Sequence, residues 1–169
     1  MKKIMIVDDN YLSAEGIEKN IDWETLNAEI IHVCYNGTSA IEAMKKEPAD
    51  LIISDIEMPD LDGISMSRQA LEINPMVKII LISAYDKFEY ARRALLLGAL
   101  DYIEKPLDYA YLIQKVKNAF ALMEKEQKNL QLLKQSRPLL TEKFFREITH
   151  LPSSDCLLYT SDAADDMQC

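Results

Sequence analysis

Short apolar runs that each end at a polar residue constrain the fold of this chain more than any other feature. Four of them read IMIV, LIIS, IILI and YIE, and they are followed directly by Asp8, Asp55, Ser83 and Lys105. Between them lie stretches whose apolar residues recur at helical spacing. Strands that alternate with helices predict βαβ units and a parallel sheet. Unbroken runs of Ile, Leu and Val are typical of strands that are buried on both faces.

The predicted fold class is therefore α/β, a doubly wound parallel sheet of five strands with an extended C-terminal helix. We place strands near residues 3–7, 29–34, 50–54, 78–82 and 101–104, and helices near 12–21, 38–46, 63–73, 86–97 and 108–135. Gly98 stands where a glycine commonly ends a helix, which supports the predicted end of the fourth helix.

The last predicted helix is longer than the sheet requires. Apolar residues follow alternating steps of four and three, with Glu126 at the one missing step: Leu112, Val116, Ala119, Met123, Leu130 and Leu133. A helix packed on its own sheet is favoured for residues 108–123, and a coiled coil for 124–135, where no sheet remains. Ser136-Arg137-Pro138 is expected to break the helix, and Leu139–Leu151 to form a short helix of a second module.

The predicted domains are residues 1–123 as one domain, 124–154 as a helical linker with the start of a truncated module, and 155–169 as a non-native tail. Cys156–Asp165 reads like the translation of a transposon adapter used in sequencing libraries. An ordinary disordered terminus is the alternative. Such segments are left out of fold reasoning, and we expect the chain to be a fragment of a longer protein.

Charge and composition narrow the class of partner. The net charge is −9 and the pI is near 4.7, which excludes a general attraction to nucleic acid or anionic membrane. Three cysteines without zinc-type spacing favour a reducing compartment. No apolar run approaches the roughly 20 residues of a membrane span. We therefore expect a cytoplasmic location and no membrane partner.

The strand-end residues predict a binding crevice, because the carboxyl ends of parallel strands share one edge of the sheet. Asp8, Asp9 and Asp55 would supply the oxygen ligands that Mg²⁺ prefers. Asp8-Asp9 has an alternative interpretation as a helix cap, although Asn10 or Ser13 could cap as well, and both interpretations stay open.

Asp55 is either a solvated loop acid or a nucleophile that attacks phosphorus and forms an acyl phosphate. The hydroxyl of Ser83 and the amide of Ala84 could then donate to phosphoryl oxygens. Lys105 could stabilise phosphoryl charge, and a cis bond to Pro106 would turn it over the crevice. Tyr102 is either a half-buried strand aromatic or a ring that swings inward with Ser83.

These residues together resemble the receiver domain of two-component response regulators, over Met1 to about Glu124. The motifs that carry the resemblance are Val7-Asp8-Asp9, Asp55 with Met58-Pro59 and Gly63, Ser83-Ala84, and Lys105-Pro106. It implies the flavodoxin-like strand order 2-1-3-4-5, phosphorylation of Asp55 by a sensor histidine kinase, and Mg²⁺ as cofactor. It also implies Asp9 as a direct metal ligand, Asp8 as a ligand through water, the backbone carbonyl of Glu57 as a further ligand, Ser83 and Tyr102 as a switch pair, and Lys105 as the phosphoryl contact.

Two further segments resemble response regulators with an AraC-type DNA-binding domain. These are Ile21-Asp22-Trp23-Glu24 and Tyr85–Ala91. The resemblance implies a homodimer through the face of the fourth helix, fifth strand and fifth helix and through the linker helix. DNA would be bound only by a C-terminal domain that this chain lacks.

The chain is not expected to be an enzyme beyond its own phosphorylation and slow dephosphorylation. One alternative is a stand-alone receiver that acts by protein contact. The other is an aspartate-nucleophile phosphohydrolase, which would need an Asp-x-Asp pattern after the first strand, whereas Asp8 and Asp9 are adjacent.

Overall fold

The computed structural model describes the backbone of residues 1–84 and 88–149, and side chains over 1–84 and 89–135. Tyr85, Asp86 and Lys87, within which the fourth helix was predicted to begin, lie outside the described residues. So do residues 150–169, which include the predicted tail. No helix in the described ranges combines the length and the apolarity that crossing a lipid bilayer requires.

Five strands alternate with five helices in the described part of the chain. In order they are β1 (Lys2–Val7), α1 (Tyr11–Asn20), β2 (Ala28–Cys34), α2 (Gly37–Lys46), β3 (Leu51–Asp55), α3 (Gly63–Ile73), β4 (Lys78–Ser83), α4 (Phe88–Leu97), β5 (Asp101–Glu104) and α5 (Tyr109–Thr149). All strand pairs are parallel, and the order is β2-β1-β3-β4-β5. The predicted fold class and strand order are confirmed.

Two apolar layers cover the two faces of the sheet. Because side chains alternate along a strand, Ile52 of β3 joins the layer with α2 and α3, while Leu51 and Ile53 join the layer with α1 and α5. All five residues of β3 are buried. This two-sided burial explains why the strands read as continuous apolar runs.

Capping residues and a glycine define three of the helix ends. The side chain of Asn10 accepts from the amides of Leu12 and Ser13 and so caps α1, and Asp62 caps α3 in the same way through Ile64 and Ser65. Gly98 has φ +87°, the left-handed conformation in which glycine ends a helix at little cost.

The apolar stripe of α5 changes environment along its length. Leu112, Val116 and Ala119 are fully buried and Met123 is 6% exposed, whereas Leu130 and Leu133 are 46% and 65% exposed. Met1–Met123 forms one compact unit, and a second unit begins at Glu124. The coiled-coil interpretation of residues 124–135 stays a prediction.

The predicted break at Ser136-Arg137-Pro138 is wrong, and so is the predicted helix end at 135. The backbone of α5 remains helical through Pro138 to Thr149, so Leu139–Thr149 continues α5 instead of forming a separate helix. A proline inside a helix loses one hydrogen bond and usually kinks or breaks it. Here the residues on both sides are rich in Leu, Lys, Glu and Gln, which favour helix and offset that local loss.

Candidate functional site

Three carboxylates converge at the carboxyl edge of the sheet. β1 and β3 are neighbours and pair Val7 with Ser54, so the next residues, Asp8 and Asp55, leave the two strands side by side. Asp8, Asp9 and Asp55 each offer an oxygen within 4.8 Å of the others. The fold thus brings together acids that are 46 to 47 positions apart in the sequence.

Asp8 is held by three donors and is only 1% exposed. Its Oδ1 accepts from the amide of Asn10 at 2.9 Å. Its Oδ2 accepts from Ser13 Oγ at 2.5 Å and from Lys105 Nζ at 3.1 Å. Since Asn10 caps α1, capping does not require the carboxylate of Asp9, which is exposed.

Lys105 connects two of the acids. Its Nζ lies 2.5 Å from Asp55 Oδ2 as well as 3.1 Å from Asp8 Oδ2. Its amide donates to the carbonyl of Ser83 at 2.8 Å, which ties the end of β5 to that of β4. The Lys105-Pro106 peptide bond is cis. Burial acts to lower the pKa of Lys105. The hydrogen bonds and negative charges of Asp55 and Asp8 act in the opposite direction and outweigh burial, so the pKa of Lys105 is raised.

Asp55 is 6% exposed, and its Oδ1 accepts from the amide of Glu57 at 3.0 Å. Burial raises the pKa of Asp55, the charge of Asp8 adds to this, and Lys105 together with the Glu57 amide only partly offsets them. The ionised carboxylate is therefore held in surroundings that disfavour its charge.

The donor set fits a divalent cation. Three carboxylates and one lysine leave two negative charges when all are ionised, and close carboxylates repel one another unless a cation is present. All three acids offer hard oxygen ligands of the kind that Mg²⁺ takes. The role of the Glu57 carbonyl in this set stays a prediction.

The remaining predicted residues lie at or near the same edge. Ser83 ends β4, pairs with Glu104 of β5 and is fully buried, and Ala84 after it is exposed. Tyr102 of β5 is half-buried and packs against the apolar layer that includes α2 and α3. Their roles in a switch stay predictions.

Two residues at this edge make contacts that the sequence does not predict. The sequence offers Ser13 only as a helix cap, yet its hydroxyl donates to Asp8. Gly63 is predicted only as part of a motif, yet a Cβ at this position would overlap the carbonyl oxygen of Asp55. A serine in the first turn after an acidic pair was the only available signal for the former, and nothing in the sequence indicated the latter.

Replacing Asp55 with Asn should make the metal-free protein more stable at pH 7. The folded-state pKa of Asp55 is raised. Its contribution to stability is therefore fully present below the unfolded pKa, about 3.9, and is lost as the pH rises through the folded pKa. Asn carries no charge and avoids that loss. Thermal melts in EDTA should show a higher melting temperature for the variant at pH 7 and no advantage below about pH 4. An equal advantage at both pH values would contradict this cause.

Comparisons with known proteins agree with the resemblance to receiver domains. The family described as "Response regulator receiver domain" matches residues 4–117. The transcriptional regulatory protein YesN of Bacillus subtilis is 29% identical over 126 residues, which cover 75% of this chain and 34% of that protein. HptR of Staphylococcus aureus is 30% identical over 112 residues, covering 66% and 44%. The chain thus spans less than half the length of these curated relatives.

Solved structures agree in fold. The receiver domain of AraT from Geobacillus stearothermophilus is 34% identical with a TM-score of 0.70, covering 75% of this chain and 98% of that one. A two-component transcriptional regulator AraC from Clostridium phytofermentans is 30% identical with a TM-score of 0.67, covering 76% and 99%. With the fold and the family match over residues 4–117 in agreement, this chain belongs to the receiver-domain family of two-component response regulators.

Proposed function

We propose that this receiver takes a phosphoryl group from the phosphohistidine of a sensor histidine kinase onto Asp55. An oxygen of the Asp55 carboxylate attacks phosphorus, the P–N bond breaks, and its electron pair stays on the imidazole nitrogen. An acyl phosphate forms on Asp55, and its slow hydrolysis would end the signal. The observation that carries this proposal is the convergence of Asp8, Asp9, Asp55 and Lys105 at one sheet edge.

Each neighbouring group has a task that follows from its position. Lys105 places a positive charge 2.5 Å from the Asp55 carboxylate. This charge would stabilise the negative charge on the oxygens of a phosphoryl group bound to Asp55. Asp9, Asp55 and the carbonyl of Glu57 would hold Mg²⁺ directly, and Asp8 through water. When bound, the metal would supply positive charge that neutralises phosphoryl oxygens.

The proposed signal is a shift between two packings of the domain. Ser83 and the amide of Ala84 would donate to the phosphoryl group, and Tyr102 would move with Ser83. The face of α4, β5 and α5 would change with them and alter homodimer formation. Residues 124–135 of α5 would extend the dimer contact, because Leu130 and Leu133 are exposed apolar side chains.

The relatives suggest what the signal controls. YesN is named as a transcriptional regulatory protein, and the Clostridium phytofermentans structure is described as a two-component transcriptional regulator AraC. We propose that this receiver comes from such a protein and that DNA is bound by a domain beyond this chain.

Acetyl phosphate should label the chain with MgCl₂ and not with EDTA. Equal labelling under both conditions would contradict the role of the metal.

Replacing Lys105 with Ala should block the switch while leaving Mg²⁺ binding largely intact. Lys105 supplies charge to the phosphoryl group and no oxygen ligand to the metal. Amide NMR spectra with beryllofluoride and MgCl₂ should show shifts on α4, β5 and α5 in the unaltered protein and few in the variant. Lys3→Ala is the matched control, since Lys3 also pairs with an acid, Glu47, but at the opposite end of β1. Unaltered switching in Lys105→Ala would refute the assigned role.

A further inference from the structure

The hydroxyl of Ser13 is used in a way that helix formation does not explain. Ser13 lies in the first turn of α1, where Asn10 already caps the helix. A serine within a helix commonly turns its hydroxyl to the carbonyl four residues earlier. Ser13 instead donates to the carboxylate of Asp8, five residues earlier, at 2.5 Å.

Two donors near the start of α1 orient the Asp8 carboxylate. The Asn10 amide donates to Oδ1 at 2.9 Å and the Ser13 hydroxyl donates to Oδ2, so each of the two oxygens has a donor from this segment. Lys105 adds a third donor at Oδ2, but it is shared with Asp55 and would follow the phosphoryl group. Only the Asn10 and Ser13 contacts are independent of Asp55.

The donor count also defines what Asp8 can offer a cation. An ionised carboxylate has about four acceptor sites, and three on Asp8 are taken by Asn10, Ser13 and Lys105. With respect to the described residues one acceptor site remains, which suits a contact through an ordered water molecule. Asp9 is exposed and can offer its carboxylate to the cation directly.

We infer that Ser13 is a positioning residue for the divalent cation and acts by holding the carboxylate of Asp8. This inference rests on the proposed function, because it assigns Ser13 to the same magnesium site. Side chains that orient metal ligands through hydrogen bonds typically change metal affinity about 10- to 100-fold when removed. Ser13 is partly exposed on a helix, so small substitutions there should not prevent folding.

Three variants separate the hydroxyl from the shape of the side chain. Ser13→Ala removes the hydroxyl, Ser13→Thr keeps it, and Ser13→Val keeps the shape of threonine without it. MgCl₂ titrations followed by amide NMR signals of Asp9 and Glu57 should show dissociation constants raised about tenfold for Ala and Val. The Thr variant should stay within about threefold of the unaltered protein.

Ser65→Ala is the matched control. Ser65 Oγ also donates to a carboxylate from the first turn of a helix, that of Asp62, at 2.8 Å, but Asp62 caps α3 and is not among the clustered acids. Its loss should lower the melting temperature without changing Mg²⁺ affinity.

The outcomes distinguish this inference from the proposed function. If the unaltered protein binds no Mg²⁺, the magnesium site itself is wrong, and the inference is overturned with it. If the unaltered protein binds and Ser13→Ala and Ser13→Val bind equally well, the role of Ser13 alone is overturned. The role of Ser13 would also be overturned if Ser13→Ala lowered the melting temperature in EDTA but left the affinity for Mg²⁺ unchanged. That result is expected of a hydrogen bond that only stabilises the fold.

Discussion

Asp55→Asn should reduce labelling by radioactive acetyl phosphate and MgCl₂ to background. Asn is a poor nucleophile toward phosphorus, and the substitution also removes one of the clustered charges that favour a divalent cation. Asp55 and Asp8 are both buried and both accept a hydrogen bond from Lys105. The Asp8 carboxylate also accepts from the Asn10 amide and the Ser13 hydroxyl, whereas we propose that an oxygen of Asp55 attacks phosphorus. Quantitative autoradiography of the purified chain measures the loss.

Asp60→Asn is the matched control for this experiment. Asp60 lies in the same loop and is exposed, and its φ of +68° is one that asparagine tolerates well. The substitution removes one loop charge without touching the cluster, so labelling should stay within about twofold. Unchanged labelling of Asp55→Asn would refute Asp55 as the acceptor.

Gly63→Ala should be among the most destabilising small substitutions in the domain. A Cβ at Gly63 would overlap the carbonyl oxygen of Asp55 and press on the backbone at Ile56. Backbone cannot turn aside as a side chain can, so the start of α3 must move away from β3. Overpacking of this kind costs about 3 kcal/mol in the free energy of unfolding. Urea denaturation measures it, and labelling should also slow, because Asp55 itself is displaced.

The same substitution at Gly16 is the control. A Cβ there would meet the hydroxyl of Tyr109 at 2.5 Å, which is the far end of a side chain and can shift. Alanine also favours helix over glycine by about 1 kcal/mol, so Gly16→Ala should change stability by less than about 1 kcal/mol. Equal losses in the two variants would mean that contact with the Asp55 backbone is not the cause at Gly63.

The sheet could be predicted from the sequence because burial on both faces leaves a strong signal. Every residue of β3 is buried. Because burying polar side chains is costly, a central strand is mainly apolar until it reaches the carboxyl edge of the sheet. The polar residues that follow each strand can therefore be recognised in the sequence. Because the strands are parallel, their carboxyl ends share one edge, and this alone predicts that Asp8 and Asp55 lie close together. The family resemblance supplied the strand order.

The length of α5 could not be predicted, because two local preferences compete there. Pro138 predicts a break, while the Leu-, Lys- and Gln-rich residues around it favour helix. The sum over many residues outweighs one proline, and α5 continues to Thr149. Single-residue signals are therefore weakest inside long, strongly helical segments.

Details of the site depended on contacts between elements that no spacing reveals. The Ser13 hydroxyl could equally have capped α1, and only the structure shows that Asn10 does so while Ser13 binds Asp8. The close approach of Gly63 to Asp55 is likewise a result of how α3 packs against β3. Residue types at the site were thus predictable, whereas the hydrogen bonds that orient them were not.

Mapping the phosphoryl group on the unaltered chain tests the central claim most directly. After incubation with acetyl phosphate and MgCl₂, peptide mass spectrometry should find one phosphoryl adduct, on Asp55, and none when EDTA replaces MgCl₂. An adduct on Asp9, Asp60 or another residue in place of Asp55, or no adduct at all, would contradict the account.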